Sequence, residues 1–307
     1  MSTAWVAVGV RSTAMRRRRL GLPATRALAA SPSLGTALSV LADGPYGHDV
    51  RTDQSLEQAQ RAVVATLVWN LRVLAGWAPR DGVALLRALA APVEAINIDD
   101  RLRGTGDGAT PPPYRLGALA TAWPRLAATT DPSGLREVLA RSPWEDPGSD
   151  DRHEISVAIR LSLAERISIE VPAAVRWAAG AAALALAREL GFRVAAPSSR
   201  LRFLASRVLG PAAADAGSLT ALHAALPAAA RWALGEVTEP EQLWRAEAAW
   251  WARVDRDAVG LSRHGGTDAA ALVGTVARLA VDAWRVRAAL ELAARGGRVV
   301  EDFDAVA

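Results

Sequence analysis

Residues Val83–Gly104 read VALLRALAAPVEAINIDDRLRG and hold the most informative pattern in the chain. Apolar residues recur at helical spacing in this stretch and predict one buried helix face, formed by Leu86, Leu89, Val93 and Ile96. The stretch also carries a dense polar cluster, made of Glu94, Asn97, Asp99, Asp100, Arg101 and Arg103. Gly104 then ends the segment. The pattern predicts a helix whose apolar face leads into a polar end.

Two later segments repeat this arrangement weakly. Ile169–Gly191 reads IEVPAAVRWAAGAAALALARELG, and Leu279–Gly297 reads LAVDAWRVRAALELAARGG. In each copy an acidic residue lies near the start of a helical stretch, and the stretch ends at glycine after Arg or after Arg-Glu-Leu. One helical unit used three times favours a scaffold over a reaction site.

The composition predicts an all-α fold. The chain has 307 residues, of which 51% are hydrophobic and 22% are charged, as is typical of a globular protein. Ala dominates the apolar residues, followed by Leu and Val, and both Ala and Leu are strong helix formers. Helical patterns follow one another along the chain, interrupted by turn-forming stretches at Gly104–Pro113 and Trp144–Asp151. Only Val299–Phe303 is expected to be extended.

Two residue types are missing, and each absence excludes a class of chemistry. The chain has no lysine, which excludes P-loop nucleotide binding, Schiff-base catalysis and protein-kinase activity. It has no cysteine, which excludes thiol catalysis, thiolate metal sites and disulfides. A cysteine-free chain without a signal peptide is expected in the cytosol. No run of 18 apolar residues predicts a membrane span.

Positive charge is concentrated near the amino terminus. The net charge is only +4, but the first 42 residues carry six arginines and no acid, and four of these arginines are consecutive at Arg16–Arg19. Such a run fits nucleic acid, anionic lipid or an acidic partner. It equally fits a solvated helix face that ends in basic residues, which the helix dipole favours. The sequence leaves both interpretations open.

Several helix ends are marked by capping residues. Asp131-Pro132 predicts a cap followed by a first-turn proline, and Thr238–Glu241 fits a capping box. Left-handed caps are expected at Gly191, Gly210, Gly235 and Gly296. The last long helix carries a narrow apolar stripe that predicts packing on a neighbouring helix: Leu272, Val276, Leu279, Ala283, Val286 and Leu290.

Asp99 and Asp100 form the one charge cluster with the look of an enzyme site. All-α isoprenoid synthases hold magnesium and diphosphate with Asp-rich helical motifs, so an enzyme of that type is one alternative. Such motifs need a further acid one helical turn on, and that position here is Arg103. No second Asp-rich motif is present. We therefore favour a solvated or interface helix over a metal site.

No cofactor site is predicted elsewhere. None of the four histidines has metal-ligand spacing: His48, His153, His223 and His264. The Gly-rich runs do not follow strands, which argues against dinucleotide binding. Most of the eleven tryptophans are expected in the core, including Trp69, Trp77, Trp177, Trp232, Trp244 and Trp284. In the pair Trp250-Trp251, one residue is expected to be exposed or at an interface, because neighbours on a helix cannot share a face.

Four stretches together resemble the rotor-stalk subunit of vacuolar/archaeal-type ATPases, called C in bacteria and archaea and d in eukaryotes. The opening AWVAVGVRSTAMRRRRL matches the family's aromatic residue and A-x-V-R run at Trp5 and Val8–Arg11. SLGTALSVLADGPYGHDV resembles its helix followed by a Tyr-Gly turn, here Tyr46-Gly47. EAINIDDRLRG resembles its recurrent acid, Asn-aliphatic, Leu-Arg helix, and DAWRVRAALELAARGG resembles its last long helix.

The resemblance spans nearly the whole chain, but the motifs are loose. The family's asparagine, present as Asn97, is replaced by Ala173 in the second copy and by Arg285 in the third. The residues that correspond best become our candidate structural or interface residues: Arg11, Tyr46, Gly47, Glu94, Asn97, Arg103, Asp282, Arg285 and Arg287. No catalytic, cofactor-binding or metal-binding residue is implied.

The resemblance implies a mechanical role. Members fold as a funnel of three similar helical lobes around a pseudo-threefold axis, here expected at residues 1–108, 109–210 and 211–307. The funnel receives the central-stalk subunits D and F, sits on the membrane proteolipid ring and catalyses nothing itself. We therefore expect a rotor subunit for proton or sodium transport at the cytoplasmic face of the plasma membrane, without nucleic acid or small-molecule substrate. The alternatives are the isoprenoid-synthase-like enzyme and a helical adaptor or nucleic-acid binder that uses Arg16–Arg19.

Overall fold

The fold is helical throughout the part of the chain that the structure describes. A computed structural model describes residues 3–104, 110–193, 195–262 and 268–297. These ranges contain α-helices and three short 3-10 helices but no β-strand, which confirms the predicted all-α class. Within the same ranges, no helix combines the length and the apolar character needed to cross a bilayer. The predicted extended segment Val299–Phe303 lies outside the described residues.

The chain divides into two compact units. Unit 1 comprises Met1–Ala84 and Trp251–Ala307, and unit 2 comprises Leu85–Trp250. Unit 1 contains α1 (Thr3–Arg18), α2 (Gly21–Ala29), α3 (Leu34–Ala42), α4 (Leu56–Ala75) and α15 (Ala269–Ala294). Unit 2 contains α6 (Trp123–Leu126), α7 (Pro132–Ala140), α8 (Arg152–Glu170), α9 (Val175–Phe192), α10 (Ser199–Leu209), α11 (Pro211–Ala214), α12 (Leu219–Ala225) and α13 (Ala228–Arg231). The boundaries fall inside α5 (Arg80–Gly104) and α14 (Leu243–Ser262). The division into lobes 1–108, 109–210 and 211–307 stays a prediction.

Side-chain caps fix where several helices begin. Ser55 and Gln58 form a reciprocal capping box at α4, because each side chain accepts a hydrogen bond from the other residue's backbone N–H. Asp131 accepts from the Gly134 backbone N–H ahead of the first-turn proline of α7, as predicted. Each such cap satisfies a backbone donor that the helix itself leaves free, and is worth roughly 1 kcal/mol.

Two predicted helix ends are wrong. Thr238–Glu241 forms no capping box: a 3-10 turn at Pro240–Gln242 follows Glu239, and no side chain caps it. Gly191 is a helical residue of α9, whereas Gly210, Gly235 and Gly296 have the expected positive φ. A Cβ at Gly191 would lie 3.0 Å from Cβ of Pro240. This glycine therefore serves close packing within unit 2 and does not end the helix.

Unit 1 is built around α15, which packs against α1, α2, α3 and α4. The predicted apolar stripe is buried over its whole length: Leu272, Val276, Leu279, Ala283, Val286 and Leu290. Val286 and Leu290 belong to one core cluster with Leu28, Leu38 and Val63. Each such side chain contributes roughly 1.5–3 kcal/mol by leaving water.

Unit 2 has its main core around the helix pair α8 and α9, and the alanines of α9 line that core. Pro92 lies inside the continuous helix α5. The second sequence copy differs, because α8 ends at Glu170, a 3-10 turn covers Pro172–Ala174, and α9 begins at Val175. Ile169–Gly191 is therefore two helices with a break. The first copy lies within α5, and the third lies within α15 apart from its last three residues, Arg295–Gly297.

The predicted burial of the tryptophans is correct for Trp177 and wrong for several others. Trp69, Trp77 and Trp244 are exposed, while Trp232 and Trp284 are half-buried. Both members of the pair Trp250-Trp251 are half-buried, so neither is exposed, and the interface alternative stays a prediction. Trp250 donates to the Trp177 carbonyl, and Trp251 stacks on Trp284. A tryptophan on a helix can thus donate its indole N–H to a carbonyl, or stack its ring on another ring, without being fully buried.

Candidate functional site

Four of the predicted residues meet at a cavity in unit 1. Arg11, Tyr46, Gly47 and Asp282 all line a space of about 390 Å³. The walls are formed by α1, the turn that follows α3, helix α4 and the middle of α15. The four residues are far apart in sequence, and the packing of α15 against α1 and α4 brings them together.

Asp282 is the buried polar centre of this region. Its side chain is 2% exposed, and its Oδ1 accepts from the Gly21 backbone N–H at 2.8 Å. Its Oδ2 accepts from the Leu20 backbone N–H at 3.2 Å and from the Tyr46 hydroxyl at 2.9 Å. Leu20 and Gly21 stand at the start of α2, where free N–H groups and the helix dipole stabilise a negative charge. Asp282 therefore joins α15 to the beginning of α2.

Tyr46 is held in its neutral form. Burial raises its pKa well above the ordinary value, and the negative charge of Asp282 and the hydrogen bond to it raise the pKa further. The hydroxyl is consequently a permanent donor to Asp282 over the physiological pH range. The pair fixes the DGPYGHD turn against α15.

Gly47 is required by the tight path of that turn. A Cβ at this position would lie 2.0 Å from the carbonyl oxygen of Ala42, a backbone atom that cannot move aside easily. The next residue, His48, stacks on Trp69 of α4 with ring centroids 4.4 Å apart. Its Nδ1 lies 2.8 Å from a carboxylate oxygen of Asp49, which also accepts from Thr66. The sequence does not predict this stack, because no local pattern pairs a turn histidine with a tryptophan on the following helix.

Glu94 forms a similar polar centre in unit 2. It is fully buried, and its carboxylate accepts three backbone hydrogen bonds of 2.6–2.7 Å from Thr121, Ala122 and Trp123. These residues form the start of α6. Asn97, one turn further along α5, donates to the Tyr114 carbonyl at 3.0 Å and accepts from the Tyr114 N–H at 2.8 Å. The two side chains bind the returning chain to α5.

Comparison with protein-family models finds no matching family, and comparison with curated proteins finds no significant match. Function is therefore inferred from the contacts and burial of the candidate residues.

Both carboxylates of the enzyme alternative are engaged by protein donors. Asp99 accepts from the Ser156 hydroxyl at 2.6 Å and from Arg160 at 2.7 Å. Asp100 is buried and pairs with Arg103, whose side chain is mostly exposed. Among the residues that the structure describes, no group of three or more His, Asp or Glu side chains could hold a metal ion. The arrangement ties α5 to α8 and closes the end of α5.

The remaining two predicted residues lie on α15 in unit 1. Arg285 is 7% exposed and donates to Asp255 of α14 at 2.8 Å. Arg287 is half-buried, and its Nε is shielded from solvent without a hydrogen-bond partner in the described residues. Arg285 occupies the place that Asn97 has in the first copy, and here an ion pair replaces the amide-to-backbone contact.

Proposed function

We propose that this chain is the non-catalytic rotor subunit of a vacuolar/archaeal-type rotary ATPase, a socket that couples the central stalk to the membrane proteolipid ring. The observation that carries the proposal is the shared use of Glu94 and Asp282. Each is a buried carboxylate inside a long helix, and each accepts backbone hydrogen bonds at the start of a short helix. The resemblance places these two acids at corresponding positions of a repeated lobe.

Each of the two contacts joins residues that belong to different proposed lobes. Glu94 belongs to the proposed lobe 1 and binds the first part of lobe 2, at Thr121–Trp123. Asp282 belongs to lobe 3 and binds Leu20 and Gly21 in lobe 1. The contact of Asp282 agrees with the proposed pseudo-threefold arrangement, in which the last lobe contacts the first. Lobe 2 departs from it, because its acid Glu170 ends α8 and is largely solvent-accessible.

A scaffold role also agrees with the burial and the bonding partners of the candidate polar residues. Glu94, Asn97, Asp282 and Arg285 are all buried and satisfied by backbone or by an ion pair. Catalytic acids and bases need access to a substrate, whereas these groups hold segments of their own chain. The proposed partners are the stalk subunits D and F and the cytoplasmic loops of the ring, at the inner face of the plasma membrane. The proposal includes no cofactor, no nucleic acid and no small-molecule substrate.

Direct binding tests this proposal. The full chain is mixed with the purified D–F heterodimer of the same organism and, separately, with the detergent-solubilised ring, and complexes are measured by size-exclusion chromatography with light scattering. We expect a one-to-one complex with D–F and no ATP hydrolysis by the chain alone. An exposed-face substitution, Glu137→Ala, serves as the matched control and should bind like the wild type.

Two results would overturn the proposal. The first is the absence of any complex with either D–F or the ring at micromolar concentration. The second is magnesium-dependent turnover of a prenyl diphosphate that Asp99→Ala abolishes, which would establish the enzyme alternative. Salt-dependent binding of RNA or DNA that is lost when Arg16–Arg19 are neutralised would favour the nucleic-acid alternative instead.

A further inference from the structure

The cavity in unit 1 has a wall of arginines that the scaffold does not use. Arg11 and Arg18 of α1, together with Arg19 directly after it, all line the space of about 390 Å³. None of the three forms an ion pair with another described residue. Arg19 donates only to the Arg16 carbonyl, and Arg11 lies over the Trp77 ring at 4.8 Å. Among the described residues, no carboxylate pairs with these three guanidinium groups.

Among the residues that the structure describes, Asp282 is the one carboxylate that lines the cavity, and both of its oxygens already accept hydrogen bonds. Its two oxygens accept from the Leu20 and Gly21 backbone and from the Tyr46 hydroxyl. The described lining therefore combines three arginines with one carboxylate whose oxygens already accept hydrogen bonds. Burial is the main cause that lowers the pKa of the neighbouring Arg16 and of Arg278, and the positive charge of Arg19 lowers both pKa values further.

A second wall of the cavity is aromatic. Trp69 is 38% exposed, lines the space and is held by the stacked ring of His48. The volume lies within the range of about 300–1,000 Å³ typical of small-molecule sites, which combine an apolar surface with a few charged groups. Arginine is the side chain whose planar fork best matches phosphoryl oxygens. A phosphomonoester carries about −1.5 to −2 charge at neutral pH, close to the positive excess of this wall.

We propose that the cavity of unit 1 binds the phosphoryl group of a small phosphorylated molecule, with Arg11, Arg18 and Arg19 as phosphate ligands and Trp69 against the organic part. This site lies beside the scaffold contacts of Asp282 and apart from those of Glu94, and ligand binding there goes beyond the proposed coupling role. The phosphoryl group can come from a free metabolite or from a lipid headgroup, and the two sources share the same recognition chemistry.

Calorimetry with the full chain tests the phosphate ligands. The probes are inorganic phosphate, pyrophosphate and phenyl phosphate. We expect one site per chain, with pyrophosphate bound more tightly than phosphate, and about tenfold weaker binding in Arg18→Gln and in Arg11→Gln. Arg17→Gln is the matched control: it is an equally exposed arginine on the same helix turn but does not line the cavity, and it should change affinity by less than about twofold.

The aromatic wall has its own readout. Phenyl phosphate should bind more tightly than inorganic phosphate, and Trp69→Ala should remove that difference while leaving the affinity for inorganic phosphate unchanged. A lipid source is examined with phosphatidylcholine vesicles that contain phosphatidic acid. Vesicle binding that pyrophosphate competes away and that Arg18→Gln abolishes would assign the same cavity to a headgroup.

The inference fails if no phosphate probe binds the wild type at millimolar concentration, or if Arg17→Gln weakens binding as much as Arg18→Gln. It also fails if vesicles bind and pyrophosphate does not compete. Because binding to D–F is measured separately, loss of the phosphate site with an intact stalk complex, or the reverse, distinguishes this inference from the coupling proposal.

Discussion

The carboxylates of Glu94 and Asp282 perform the same task in different surroundings. Glu94 binds three backbone N–H groups and no side chain, and it is completely buried. Asp282 binds two backbone N–H groups and a tyrosine hydroxyl, and it borders a cavity lined by arginines. The comparison shows that a carboxylate bound only by backbone N–H groups can lie wholly inside the core, whereas one that also binds a side chain can lie at the edge of a cavity. The predictions below test how far the two sites are equivalent.

The largest effect is expected from Glu94→Ala. Removal of the carboxylate leaves three backbone donors in a dry site without partners, so we expect a loss on the order of 3–5 kcal/mol in the free energy of unfolding. Urea denaturation followed by circular dichroism measures it. Glu137→Ala, at an exposed position of α7, should stay within about 0.5 kcal/mol. Equal effects from the two substitutions would show that the Glu94 contacts carry no stability.

Gly47→Ala should come next, at about 3 kcal/mol of destabilisation. The new methyl group would overlap the Ala42 carbonyl, so the turn that carries Tyr46 must shift. Gly35→Ala in α3 is the matched control, because a Cβ there would make only an ordinary contact of 3.9 Å with Oγ of Ser33 and alanine has the higher helix propensity. Thermal denaturation should therefore show opposite signs for the two glycine substitutions. A stabilising Gly47→Ala would contradict the described turn.

Tyr46→Phe should have a medium effect of about 1–2 kcal/mol, through loss of the hydrogen bond to Asp282. It should also change the alkaline behaviour. Because the folded pKa of Tyr46 is raised, its stabilising contribution is complete below the unfolded value near 10 and is lost as pH rises toward the folded value. The chain has no lysine or cysteine to obscure this titration.

The measurement for Tyr46 is the free energy of unfolding between pH 8 and pH 11.5. The wild type should lose stability steeply above pH 10, and Tyr46→Phe should show a flatter profile. Parallel profiles for the two proteins would mean that Tyr46 ionises as easily in the folded state as in the unfolded state.

The smallest effect is expected from Arg103→Ala. Its side chain is 74% exposed, and it pairs with the buried Asp100 in an i,i+3 contact within the last turn of α5. Such pairs contribute about 0.5 kcal/mol or less, and salt screens them. Urea denaturation at low and at high salt should show a small difference that narrows with salt. A loss as large as that of Glu94→Ala would place Arg103 among the structural residues.

Helix content was predictable because it depends on local patterns. The stripe of α15 is a strict periodicity over the whole helix, and Asp131-Pro132 is a complete local cap, so both were predicted correctly. Gly191 was predicted incorrectly because its small size allows close packing against Pro240, a residue far along the chain. Glycine marks both left-handed caps and close packing, and only the partner distinguishes the two uses.

The sequence singled out four residues of the candidate site but none of the contacts between them. The sequence pattern selected Asp282 and Tyr46 separately, on different motifs. Their hydrogen bond joins residues that are 236 positions apart, which no local spacing reveals. The position of the cavity arginines could not be predicted either. A run of arginines on a helix has the same sequence pattern whether its side chains are solvated or line a cavity. Tertiary packing decides between these environments.

The division of unit 1 also affects how the protein is made. Residues 1–84 leave the ribosome without α15, the helix that supplies the other half of their core and that carries Asp282 for the start of α2. At about 5–20 residues per second, the intervening segment delays its arrival by roughly 10–40 s. Unit 2 is a single continuous segment and is complete before α15 emerges. Synthesis therefore leaves the amino-terminal helices exposed for tens of seconds, and we expect the nascent chain to depend on chaperones during that interval.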